Sequence, residues 1–132
     1  MIKLDIVTPE KKVLSETVDS VTVPTLAGEV GILPNHAPLI SALKPGILSI
    51  NKGGAVQKMV ISGGFVEVGA NTVSVLAEVA ETADEIDAEQ ARADAAEAEK
   101  VLAASKDAIE DTEAEQEKLG RAQARLQLLS GK

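Results

Sequence analysis

Ile2, Leu4 and Ile6 alternate with Lys3 and Asp5, the two-residue period of a strand with one buried face. Similar short apolar stretches recur as far as Val79, each closed by turn residues. Thr8-Pro9-Glu10-Lys11-Lys12 forms the first turn, and Val13-Leu14 begins a second strand. Val21 and Val23 flank Thr22 in a third, which Pro24 is expected to end because proline donates no ladder hydrogen bond. Gly28–Pro34 places a short strand between turn residues. Asn35-His36-Ala37-Pro38 reads as a loop, since the residue before a proline disfavours helix. Leu39–Leu43 and Ile47–Ile50 flank the turn Lys44-Pro45-Gly46. Lys52-Gly53-Gly54 marks a hairpin into Val56–Ser62. Phe65–Val68 and Val73–Val79 complete the series, split by Gly63-Gly64 and Gly69-Ala70-Asn71. About ten short strands with turns every eight to twelve residues predict a sandwich or flattened barrel.

The period changes after Ala80. Asp87, with Gln90 three residues on, reads as a helix start and capping pair, with Ile86 as a staple residue. Ala91, Ala95, Ala98 and Leu102 then fall on one helical face. Ser105-Lys106-Asp107 is a tight connection, and Ile109, Thr112, Gln116, Leu119, Ala122, Leu126 and Leu129 continue the pattern at threes and fours. The expected architecture is therefore α+β: a β-sandwich over residues 1–84 and an antiparallel two-helix hairpin over 85–132. The seam between the helices is poor in large side chains. A buried leucine contributes about 1.5–3 kcal/mol, whereas alanine offers one methyl group. Helix propensity is high throughout, so the helices should form readily but hold each other and the sandwich weakly. Gly120 costs about 1 kcal/mol against alanine and is read as a bend. An arm able to dock, detach or extend follows; an ordinary solvated hairpin is the alternative, and the sequence leaves both open.

Composition sharpens this division. All five prolines and eight of the ten glycines lie in residues 1–80. The net charge of −8 divides as −1 over residues 1–80 and −7 over 81–132. Nucleic acid and anionic membrane surfaces are poor partners for such a chain. The arm is itself polarised: Asp107–Glu117 holds six acids and no base, Lys118–Lys132 four bases and no acid. With no cysteine, disulfides, thiol catalysis and thiolate metal sites are excluded. Phe65 is the single aromatic residue, so base stacking is absent. No run approaches the roughly 18 apolar residues of a membrane span, so direct membrane insertion is not expected. The amino end lacks a signal-peptide pattern, Asp5 interrupting its apolar stretch.

Catalytic constellations are missing. GxxxxGK[ST], HExxH and EF-hand patterns do not occur. Gly53-Gly54 and Gly63-Gly64 precede no helix, so turns explain them better than phosphate loops do. His36 is the only histidine, and a loop residue bonding to nearby backbone is favoured over a general base. The expectation is no enzyme, no metal and no catalytic residue.

Gly28-Glu29-Val30-Gly31-Ile32-Leu33-Pro34-Asn35-His36-Ala37-Pro38-Leu39-Ile40 resembles the signature stretch of the epsilon subunit of rotary ATP synthases. Ile6-Val7-Thr8-Pro9, Leu43-Lys44-Pro45-Gly46-Ile47 and Ser62-Gly63-Gly64-Phe65-Val66-Glu67-Val68 match in order, and Val73-Ser74-Val75-Leu76-Ala77 leads into Ile86-Asp87, where that family's first helix begins. The mitochondrial delta subunit shares the architecture. The resemblance covers nearly the whole chain, with high specificity in Gly28–Ile40 and low specificity in the helices.

The resemblance implies a non-catalytic central-stalk rotor subunit that helps couple proton or sodium passage to ATP synthesis. It implies a sandwich against the gamma subunit and the c-ring, and helices that inhibit ATP hydrolysis when extended into the alpha/beta head. The partner-facing positions it implies are Glu29 toward the c-ring, His36 near gamma, and Lys118, Arg121 and Arg125 toward an acidic segment of beta. Plain turn and loop roles for Glu29 and His36, and helix-dipole complementarity for the bases, are the alternatives. Some bacterial members bind ATP on the folded hairpin through a pattern resembling Ile-Asp-x-x-Arg-Ala. Here Ile86-Asp87-Ala88-Glu89-Gln90-Ala91 stands, and Glu97 replaces a further arginine. Glu81, Asp87, Arg121 and Arg125 match, but Gln90 offers no charged fork and Glu97 repels phosphate, so weak or absent ATP binding is expected. The implied location is peripheral, on the cytoplasmic face of a bacterial plasma membrane or on a chloroplast thylakoid. A generic β-sandwich adaptor in another assembly, and a small hydrolase built around His36, are the competing functional readings.

Overall fold

A computed structural model describes residues 1–104 and 113–130. Its strands are β1 (Ile2–Val7), β2 (Lys12–Val18), β3 (Ser20–Thr25), β4 (Gly28–Ile32), β5 (Leu39–Ala42), β6 (Gly46–Lys52), β7 (Ala55–Ser62), β8 (Phe65–Val68), β9 (Thr72–Leu76) and β10 (Val79–Glu81). A 3₁₀ turn (Ala83–Glu85) leads to α1 (Ala88–Ala104) and α2 (Glu113–Leu129). The connection read at Ser105-Lys106-Asp107 and the stripe positions Ile109 and Thr112 lie outside the described residues.

The strands form two five-stranded sheets, ordered β2-β1-β9-β8-β5 and β10-β7-β6-β3-β4. Among the described residues only β1 and β9 pair in parallel; every other pairing is antiparallel, as expected of strands joined by short turns. The inward positions follow the period of two. Leu4 and Ile6 of β1 and Val73 and Val75 of β9 meet Val21 and Val23 of β3 and Leu48 and Ile50 of β6 in one core. No residue of α1 or α2 belongs to that core.

Two local readings change. Pro24 lies inside β3 rather than at its end. The β6 ladder reaches only Ser20, Val21 and Thr22, so the missing donor of Pro24 falls beyond it. The Pro24 carbonyl accepts from the Lys44 amide at 3.1 Å. The stretch Val73–Val79 is also two strands, because the chain changes sheet within it. Ala77 N–H still donates to Val7 of the first sheet, while Glu78 N–H donates to Ser62 of the second. Gly64 makes this corner possible: its φ is +84°, and a Cβ there would overlap the Leu76 carbonyl oxygen.

The helices run antiparallel, because the α1 partners step back from Glu97 to Asp94 as α2 advances from Lys118 to Arg125. Ala91, Ala95 and Ala98 of α1 are buried, as the stripe predicts, but Leu102 is only half-buried. In α2, Ala122 is buried, Leu119 and Leu126 are half-buried, and Gln116 and Leu129 are exposed. Ala124, off that stripe, is buried as well. The reason is that α2 is covered on two sides, by α1 and by the β7 and β6 strands.

Candidate functional site

The site is the contact between the helical arm and the outer face of the second sheet. It begins with an irregularity in β7, whose last four residues, Met59-Val60-Ile61-Ser62, are all buried. Met59 and Ile61 point into the core. Val60 and Ser62 alternate with them, so they face the opposite way, and both are fully buried outside the core cluster. Ile47 pairs with Val60 across one edge of β7, and Glu81 pairs with Val60 across the other. An outward row of Ile47, Val60 and Glu81 therefore lies under α2.

Gly120 lets α2 come close. The helix runs unbroken through it, from Glu113 to Leu129. A Cβ at Gly120 would stand 3.2 Å from Cβ of Pro45, so the glycine admits the turn between β5 and β6 against the helix. One residue on, Arg121 Nε donates to Ser62 Oγ at 3.0 Å. Its Nη2 donates to Glu117 at 3.2 Å and lies 3.9 Å from Glu78. The buried Ser62 hydroxyl thus has a charged donor.

Arg125 sits one turn further. Its Nε and Nη2 donate to the two oxygens of Glu81 at 2.7 and 3.2 Å. Such a two-point guanidinium–carboxylate pair is stronger and more directional than a single contact. The side chains are only 19% and 26% exposed, so water screens them partially. The Nη1 of Arg125 lies 3.9 Å from Asp94 of α1. One guanidinium carried on α2 therefore faces both β10 and α1. Lys118 pairs with Glu97 of α1 at 3.3 Å in the open, where a salt bridge contributes about 0–1 kcal/mol.

The hinge between sandwich and arm has its own cap. The Glu85 carboxylate accepts from the Thr82 amide at 3.0 Å and from the Thr82 hydroxyl at 3.1 Å. These bonds favour the charged form and hold the Glu85 carboxyl below its ordinary value, first through the Thr82 amide, then its hydroxyl, with a smaller attraction from Lys11. At the start of α1, Asp87 accepts from the Gln90 amide at 3.1 Å, as a cap should. The Gln90 side chain instead donates to Asp94 at 2.9 Å, so the pair is not reciprocal.

The sequence-derived candidates thus fall into separate places. Glu81, Arg121, Arg125 and Lys118 gather under and beside α2. Asp87 and Gln90 line a neighbouring cleft of about 180 Å³ with Glu81, Glu85 and Arg125. Glu29 is exposed on β4, opposite Pro24. His36 is half-buried in the following loop, where its Nδ1 donates to the Ala37 carbonyl at 2.6 Å. That loop is tethered by Asn35, in the left-handed region at φ 65°, whose amide donates to the Ala70 carbonyl at 2.7 Å. Ser62, Val60, Glu78 and Asp94 are additions that the sequence reading missed. The signal for the first two is the unalternated run Met59-Val60-Ile61, since a strand covered on both faces loses its period of two. Among the described residues, no group of three or more His, Cys, Asp or Glu is placed to hold a metal ion. Nor is any described helix long and apolar enough to cross a membrane.

Residues 1–83 match the family described as "ATP synthase, Delta/Epsilon chain, beta-sandwich domain". The ATP synthase epsilon chain of Syntrophobacter fumaroxidans is 50% identical over 127 residues, covering 96% of this chain and 94% of its own. That of Herpetosiphon aurantiacus is 48% identical over 130 residues, covering 96% and 93%. A chain in a cryo-EM structure of Euglena gracilis mitochondrial ATP synthase, comprising OSCP, F1 and c-ring, superposes with a TM-score of 0.78 at 28% identity, covering 96% of this chain and 79% of that one. A match through the sandwich, and relatives that align through the helices as well, show that this chain belongs to the ATP synthase epsilon chain family.

Proposed function

We propose that this chain is a non-catalytic central-stalk subunit of an ATP synthase. Its sandwich packs on the gamma subunit and the c-ring and helps couple ion passage to ATP synthesis. Its helical arm rests on the sandwich and inhibits ATP hydrolysis when it extends toward the alpha and beta subunits. The observation that carries the reading is the way the arm is attached. It meets the second sheet through two arginines and a glycine, and contributes nothing to the hydrophobic core. The subunit works as a peripheral component of the membrane complex, on the cytoplasmic face of a bacterial plasma membrane or on a thylakoid. Exposed Glu29 and the tethered His36 loop serve the sandwich's contacts with c-ring and gamma.

ATP has at most a weak place here. Arg125 is already held by Glu81 and Asp94, and Gln90 by Asp94. The cleft that Asp87 and Gln90 line, about 180 Å³, is smaller than the roughly 300–1,000 Å³ of ordinary small-molecule sites, and the cleft of about 400 Å³ beside Arg121 and Arg125 is also faced by Asp94 and Glu117, which repel phosphate. Calorimetric titration of the isolated chain should show no micromolar ATP affinity, and a micromolar value would refute this part.

The inhibitory role is tested with the reconstituted catalytic head. Hydrolysis is compared with the full chain and with a chain ending at Glu85. The shortened chain should leave hydrolysis faster. Equal rates would remove inhibition while leaving the coupling role standing.

A further inference from the structure

We propose that Arg121 and Arg125 form a salt-sensitive latch, with Arg125 as the shared point whose release loosens α2 from the sandwich and from α1 together. The inference deepens the movable-arm reading and rests on it. It starts from how few side chains of α2 are fully buried, Ala122 and Ala124 among the described residues. Val60 and Ser62 are its fully buried contacts on β7, and Gly120 against Pro45 adds proximity rather than apolar area. Directional attachment comes from charge. Arg121 donates to Ser62, and Arg125 grips Glu81 with two bonds. Both carboxylates reached from α2 on the strand side, Glu78 and Glu81, flank the short stretch where the chain enters the second sheet.

Arg125 does more than dock α2. Because it also faces Asp94, it ties α1 into the same contact. Asp94 in turn accepts from Gln90 at the start of α1. If Arg125 lets go of Glu81, the contact that aligns α1 and α2 over the hinge is weakened in the same event. The released arm uncovers Val60, which is otherwise fully buried, and further exposes half-buried Ile47 beside it.

The native chain has no cysteine, so a single Val60→Cys thiol reports on this face without interference. Its labelling rate measures how often α2 lifts. Exchange of the slowest β8 and β9 amides in the same protein measures global unfolding, so a variant that is merely destabilised is recognised. In the Val60→Cys background, labelling should exceed global unfolding and accelerate as NaCl rises from about 0.05 to about 1 M, where the screening length falls to about 3 Å. Glu81→Gln or Arg125→Gln should raise it by about 10- to 100-fold, as expected for loss of a hydrogen-bonded charge pair. Asp94→Asn should raise it less, and the combined Glu81→Gln/Arg125→Gln chain no more than Arg125→Gln alone. Labelling faster than global unfolding but indifferent to salt and to these changes would overturn the latch and leave a movable arm. Labelling no faster than global unfolding in every variant would overturn the latch and the movable arm together.

Discussion

Glu85 shows how one side chain ties the hinge to pH. Its carboxylate receives the amide and hydroxyl of Thr82, and these bonds exist only while it can accept both. Its value in the folded protein is therefore depressed. The stabilisation it gives is complete above the ordinary carboxylate value and is lost as pH falls through the lowered one. A carboxyl ¹³C titration should place the Glu85 midpoint below that of an ordinary glutamate, and Thr82→Ala should return it toward that value. An unshifted midpoint in the native chain would discard the cap. The residue sits at the surface, so its effect on overall stability is small. At the same scale, Arg125, which matches the ATP-binding pattern, and Gln90, which departs from it, share one kind of surrounding. Both side chains already have internal carboxylate partners, and those partners come from β10 and α1.

At the scale of elements, sandwich and arm follow different physics. Strands β1, β3, β6, β7, β8 and β9 place branched side chains into one shared core. Each fully buried aliphatic side chain there contributes about 1.5–3 kcal/mol. The buried side chains of α1 are Ala91, Ala95 and Ala98, and those of α2 are Ala122 and Ala124, each worth about one methyl group. The helices should therefore lose amide protection at a lower free energy than the strands, each as a cooperative unit. Native-state hydrogen exchange on the isolated chain checks this, and equal protection in α1, α2 and the central strands would contradict it. The composition and period of the arm are sufficient for this expectation. They are insufficient for its docking face, because Ala124 and Gly120 are off the predicted stripe and acquire a role only when β7 and Pro45 lie against them.

For the whole molecule, the division into a sandwich with its own core and an arm outside that core gives the truncation experiment its meaning. Removing everything after Glu85 leaves all ten strands and their core residues in place. Loss of inhibition with retained coupling would then separate the two halves by function as well as by structure. Strand positions, turns, the helix start at Asp87 and the small-residue seam were legible from residue order, because periodicity, proline and glycine act over a few neighbours. Glu81, Arg121 and Arg125 were legible as candidates only through resemblance, and their pairing was not. Glu81 and Arg125 are 44 positions apart, and Arg121 and Ser62 are 59 apart.

Local sequence alone thus determined the change from period two to helical period, and with it a strand-built module followed by two alanine-rich helices. It also determined that disulfides and thiol chemistry are excluded, since the chain has no cysteine. Only the tertiary structure decided that Pro24 stays inside a strand, that Val73–Val79 crosses from one sheet to the other, and that Arg125 joins three elements. Those outcomes depend on which backbones come side by side, and that is settled by burial of the core and the path of the chain, over distances that no local pattern encodes.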